Sequence, residues 1–182
     1  TAAGIAFDAA GEAVALGRAG GTGARTARWS GGVWSGAKAW LLNPGGSWFP
    51  AFARTDAALY VFAQDASLAH KYAAAKGASG DPFVPVDNAN SAVSGTAATR
   101  QGHASFFYPS IDASGGLVET RLIGETWSPA TTILAGNFTD GQAAATHLAQ
   151  GTLLVAPRRT GNDHVLDWVI LGEKKEKLER KE

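Results

Sequence analysis

The chain has 182 residues, and its sixteen Lys and Arg balance sixteen Asp and Glu, so the formal net charge is zero. That balance leaves no basic stripe for a phosphate backbone, and nucleic acid is not an expected partner. Without cysteine there is no disulfide framework, no thiolate metal site and no cysteine nucleophile, while an apolar fraction of 45% marks globular material.

In chain order, short apolar runs fenced by Gly, Asp, Asn or Ser predict strands over 4–7, 12–18, 24–29 and 33–42. A break at Asn43-Pro44-Gly45-Gly46 follows, then runs over 49–55, 59–64, 68–73 and 83–87. The third group covers 95–100, 104–110, 117–123 and 126–134, and the fourth covers 142–148, 152–158 and 164–171. The 23 glycines supply the tight turns such a string of strands requires.

The groups repeat. Leu16, Phe62 and Tyr108 recur at a spacing of 46 residues, and Trp127-Ser128 repeats Trp34-Ser35 after 93. A period of roughly 40–50 residues with four strands per unit is the signature of a propeller blade. The predicted fold is all-β: a β-propeller of four blade repeats over 1–46, 47–93, 94–139 and 140–172. First strands are Ala-rich (Ala51, Ala53, Ala97, Ala98, Ala143 to Ala145), which suits crowding near a propeller axis, although 142–150 also reads as a helix. Second strands are near-continuous apolar runs such as Phe106-Phe107-Tyr108, as strands buried on both faces are.

The last ten residues hold five Lys or Arg and four Glu around Leu178, and read as a solvated helix or frayed tail. They stand where the fourth strand of the last repeat belongs, so that blade is expected to lack its outer strand. An unpaired edge of this kind invites pairing with another chain, a homo-oligomer among the possibilities. No run reaches the roughly 18–20 apolar residues a membrane-spanning helix needs. A chain that opens on Thr1 and contains no methionine reads as processed or excised, and extracellular export is compatible with it.

The segment Val33-Trp34-Ser35-Gly36, Leu42, Gly45-Gly46, Phe52-Ala53, Leu59-Tyr60-Val61-Phe62, Leu68 and His70-Lys71 resembles the repeat of β-propeller lectins. The bacterial fucose-binding propellers of the Photorhabdus kind are the nearer resemblance, the fungal fucose lectins the more distant. The resemblance covers about one and a half repeats and implies sugar pockets between adjacent blades, each an aromatic platform with a few polar side chains. In the fungal pattern an Arg on the second strand and an acid on the third grip the sugar hydroxyls. Carried over by position, the Arg falls on Val14, Tyr60, Phe106 and Leu154, so it is absent. The acid falls on Thr26, His70, Glu119 and Asp167, and two of those four qualify.

Glycans or simple sugars are accordingly the expected partners, and a lectin-like module the expected function. The candidate platforms are Trp29, Trp34, Trp48, Trp127 and Trp168, since an indole face stacks on a pyranose ring. Trp34 and Trp127 serve equally well as packing between blades. The polar candidates are Glu119 with Arg121, Asp167 beside His164, and Arg54 and Arg100 at the ends of first strands, with surface ion pairing as the plainer role. The four histidines show no metal-ligand spacing, and no nucleophile elbow or phosphate loop is present, so neither cofactor, metal nor catalytic residue is expected. A non-catalytic interaction propeller is the alternative, and a glycan-cleaving enzyme would need paired carboxylates that nothing in the sequence brings together.

Overall fold

A computed structural model describes residues 3–7, 13–18, 24–36, 38–40, 50–56, 58–65, 71–76, 84–90, 95–110, 115–138, 142–172 and 179–181. All regular structure among these residues is β, in four antiparallel sheets, and no helix there is long and apolar enough to cross a membrane. The chain divides into two compact units, Thr1–Val86 and Asp87–Glu182.

The first unit holds two sheets. Sheet I runs β1 (Ala3–Phe7), β2 (Ala13–Arg18), β3 (Ala24–Ser30) and β4 (Val33–Trp34), with β5 (Lys38–Trp40) also paired to β3. Sheet II runs β6 (Ala51–Arg54), β7 (Leu59–Asp65), β8 (Lys71–Lys76) and β9 (Val84–Asn90), the last crossing the division between the units. Sheets I and II meet along their first strands. A Cβ on Gly4 would lie 2.5 Å from Phe52 Cε2 and 2.9 Å from Pro50 Cγ, so only glycine lets β1 come this close to β6.

The second unit repeats the plan. Sheet III runs β10 (Thr96–Arg100), β11 (His103–Pro109), β12 (Leu117–Ile123) and β13 (Thr126–Trp127), with β14 (Thr131–Leu134) also on β12. Sheet IV runs β15 (Ala144–Leu148), β16 (Gly151–Thr160), β17 (Asp163–Gly172) and β18 (Glu179–Lys181). Paired residues share a face and alternate along each strand. One face of sheet III, with Ala98, Phe107 and Leu117, packs on the face of sheet IV that carries Leu154, Ala156, Val169 and Leu171, and Leu134, Phe138 and Ala143 complete that core. Thr152 Oγ1 donates to Thr99 O across the junction at 3.0 Å.

Burial patterns record which faces are covered. On β11 every residue from Ala104 to Pro109 is buried, on both faces, as the continuous apolar run predicts. On β16 and β17 burial alternates: Leu154, Ala156, Asp167, Val169 and Leu171 are buried, while Leu153, Val155, Trp168 and Ile170 between them are half-exposed. The segment over 142–150 contributes a strand, β15, and not a helix.

Two expectations are corrected. The fourth strands of sheets I and III are each broken in two: Ser35 N and Ser128 N still donate to Arg28 O and Arg121 O at 2.8 Å, but Arg28 N and Arg121 N donate to the serine hydroxyls in place of a backbone carbonyl, and in sheet III Pro129 then has no N–H for a ladder. The third strand of sheet II is described over Lys71–Lys76, with Asp65 opposite Lys71, and its expected start at Leu68 lies outside the described residues. The last sheet does not lack its outer strand. Glu179–Lys181 pairs with Trp168–Ile170 as β18, so part of the charged tail covers the edge that was expected to be bare. The remaining tail residues lie outside the described residues, as does the Asn43–Gly46 break.

Candidate functional site

The Trp-Ser repeat is a hairpin closure built twice. Trp29 pairs with Trp34 and Ser30 with Val33 in sheet I, and Leu122 pairs with Trp127 and Ile123 with Thr126 in sheet III. In both, the serine hydroxyl accepts the backbone N–H seven residues earlier, Arg28 N to Ser35 Oγ at 2.9 Å and Arg121 N to Ser128 Oγ at 3.0 Å. The turns need positive φ, which Gly31 (58°), Gly32 (84°) and Gly124 (65°) provide. Trp34 and Trp127 are therefore structural equivalents. Trp34 is 44% exposed with its ring centroid 5.5 Å from that of half-buried Trp29, and Trp127 is half-buried.

The polar centre of sheet III gathers three of the candidates. Glu119, at the middle of β12, is 3% exposed and forms an ion pair with Arg100 at the end of β10. Arg121, two residues further on the same face, places Nε 3.7 Å from Glu119 Oε1. Its Nη1 donates to Gln101 Oε1 at 2.6 Å. Gln101 occupies the β10–β11 turn at φ 52°, a left-handed conformation unusual for a side chain of its size. Ser105 lies opposite Arg121 in the register, on the same face. Glu119 Oε1, Arg100 Nε and Ser105 Oγ are all buried without a hydrogen-bond partner.

In sheet IV the buried carboxylate is Asp167, also 3% exposed. Its partner is Arg158, whose Nε and Nη2 reach Asp167 Oδ2 and Oδ1 at 2.5 and 3.3 Å, a two-pronged grip from the diagonal position on β16. Sequence reasoning missed Arg158. The signal was present: counting back from the Gly161-Asn162 turn puts Asp167 opposite Ala156, one diagonal step from Arg158. His164, named beside Asp167, is exposed and lies opposite Arg159.

The register separates what position counting had equated. Phe107 stands five residues after the β10–β11 turn and faces Glu119, while Val155 stands five after the β15–β16 turn and faces Trp168. Trp168 is thus the structural equivalent of Glu119, and Asp167 points to the other face. Both carboxylates consequently look into the one junction between sheets III and IV. They are buried ion pairs, not surface ones. Trp127, in register with Leu122, lies on the face opposite Glu119, so it is not a platform above that cluster. Arg54 ends β6 and is exposed, Trp168 is half-exposed on the outer face of sheet IV, and Trp48 and His70 lie outside the described residues.

Tyr108 shares with Phe106 the face of sheet III turned away from Glu119, their rings stacked at 5.5 Å and 22°. Burial pushes its phenol up to about 12. Among the described residues no three His, Asp or Glu side chains are grouped to hold a metal ion.

No protein-family model matches the chain, and no curated protein matches it by sequence. Among solved structures it is similar to AofleA from Arthrobotrys oligospora, with a TM-score of 0.63 at 13% identity. The match covers 98% of this chain and 56% of AofleA, so the chain spans just over half the length of that neighbour. At this identity the likeness is one of fold.

Proposed function

We propose that the four sheets are blades of a β-propeller and that the chain is a carbohydrate-binding, lectin-like module. The observation that carries the reading is the polar cluster at the junction of sheets III and IV. Glu119 accepts, Arg100 and Arg121 donate, Ser105 does both, and three of their buried polar atoms have no hydrogen-bond partner. Groups of both polarities converging on one place suit a ligand made of hydroxyls, each at once donor and acceptor. Arg121, 30% exposed, stands at the solvent side of the cluster. The resemblance of the 33–71 segment to propeller-lectin repeats supports the same reading. Trp34 and Trp127 are the equivalent aromatic platforms proposed for a second class of contact, at the Trp-Ser hairpins.

The test is a glycan array on the purified chain, followed by competition with the free monosaccharide. Discrete hits that Arg121→Ala abolishes, in a variant that still unfolds cooperatively, would establish the site. Loss on Trp34→Ala or Trp127→Ala would add the hairpin platforms. A silent array on folded protein would overturn the reading.

A further inference from the structure

In each unit the first sheet meets the second through its face of the Glu119 type. The Trp-Ser hairpins make Thr26 of β3 the equivalent of Glu119 in β12, so the face of sheet I with Gly4, Thr26 and Arg28 is of the Glu119 type. That face, through Gly4, meets Phe52 and Pro50 of the next sheet. In the second unit the Glu119 face of sheet III meets the opposite face of sheet IV. Sheets I and IV each present a further face with exposed apolar side chains, and these two faces are of opposite kind.

On sheet I the open face is the one opposite to the Glu119 type. Phe7, Ala13, Trp29 and Trp34 form one row across its four strands, and Ile5, Ala15 and Ala27 form the next. Ile5 and Phe7 are each 56% exposed. On sheet IV the open face is of the Glu119 type, but Trp168 stands where Glu119 does in sheet III. Val155 lies opposite Trp168, Leu153 opposite Ile170, and Pro157 opposite Leu166, which is 71% exposed. Where the Glu119 face of sheet III is polar around its carboxylate, the middle of this one is apolar, with the exposed Arg159–His164 pair at its turn end and Glu179 and Lys181 of β18 in register at its outer edge.

We infer that a second copy of the chain covers these faces, the Trp168 face of sheet IV in one copy seating on the Ile5–Phe7–Trp34 face of sheet I in the next. The contact repeats the III–IV junction, in which a Glu119-type face meets the opposite face of another sheet, and it buries two largely apolar surfaces that single exposed residues do not explain. It joins different surfaces on the two copies and is therefore heterologous, closing into a ring or propagating according to the rotation between copies. It uses sheet faces, not the strand edge that β18 occupies, and it competes with sugar contact at Trp34.

Sedimentation velocity from about 1 to about 100 µM, in the range of ordinary reversible association, tests it. Wild type is expected to show mass above that of one chain, rising with concentration. Leu166→Glu on sheet IV and Ile5→Lys on sheet I are each expected to weaken association at least about 100-fold, because each plants a charge in an apolar contact. A one-to-one mixture of the two variants is expected to form a dimer through the one intact pair of faces, which an isologous contact would not do. Circular dichroism checks folding, and Phe7→Lys replaces Ile5→Lys if the latter fails to fold. A wild-type monomer throughout, a variant that associates normally, or a mixture that stays monomeric would each overturn the inference.

Discussion

Removing Arg158 is the sharpest test of how the second unit is held. The guanidinium grips a carboxylate that is 3% exposed, with two donor contacts at 2.5 and 3.3 Å. Arg158→Ala leaves that carboxylate buried and uncompensated, and breaking a buried pair in this way costs about 3–5 kcal/mol. Arg158 itself is 23% exposed, so water enters the space it vacates and the lower end applies, about 3 kcal/mol. For a chain of this length that is roughly 6–12 °C in Tm. Asp167→Asn keeps an acceptor and leaves a cation with access to water, so about 1–2 kcal/mol is expected. Replacing both with leucine should return stability to within about 1 kcal/mol of wild type, since an apolar pair of similar volume removes the desolvation cost as well as the attraction. Urea denaturation of the four proteins gives these differences, and raising salt should change the Arg158→Ala cost little, because a buried pair is poorly screened. An Arg158→Ala cost below about 1 kcal/mol would refute the reasoning and make the pair a solvated one, open to a ligand.

Three further outcomes are expected. Gly136 has φ 137° and a Cβ there would lie 2.5 Å from Arg158 Cδ, so Gly136→Ala should destabilise by about 2 kcal/mol, and by less in the Arg158→Ala background, as a thermal double-mutant cycle would show. Gly151 has φ 142° and a Cβ would strike the Leu171 carbonyl across the β16–β17 pair; Gly151→Ala should cost about 3 kcal/mol or more in urea denaturation, with no relief from neighbouring substitutions. Tyr108 ionises at about 12 in the folded chain against 10 when free, so the unfolded state loses its proton first; stability is intact below pH 10 and falls as pH rises toward 12. Tyr108→Phe should lose less stability than wild type between pH 9 and pH 11, measured by urea midpoint, and an equal loss would exclude Tyr108 as the cause.

Much of the strand inventory was legible because its signals are local. The two-residue turns, the all-apolar Phe106-Phe107-Tyr108 run and the Trp-Ser repeat each depend on neighbours within ten residues, and the structure has strands or hairpins at all of them. The tail was misread for the converse reason. Glu179–Lys181 has poor strand propensity, and it forms β18 because β17 presents the unpaired backbone of Trp168–Ile170, a partner that no window around residue 180 reveals.

The site was less legible, and one residue accounts for most of the difference. Counting along the chain set Asp167 level with Glu119, but strands alternate faces, so a slip of one residue reverses the direction of a side chain. Measured from the β-turns instead, Trp168 takes the place of Glu119 and Asp167 turns to the opposite face. That single step changes the functional argument. If both acids lay on like faces, each blade would offer the same polar pocket and sugar sites would simply repeat. As the register stands, both carboxylates converge on the III–IV junction, and the corresponding face of sheet IV offers an indole and aliphatic side chains in place of acid and arginine. Polar chemistry is concentrated where two sheets of one unit meet. The exposed faces of sheets I and IV are apolar at their centres, with Arg159 and His164 at one end of the latter, and suit another protein surface better than a ligand made of hydroxyls.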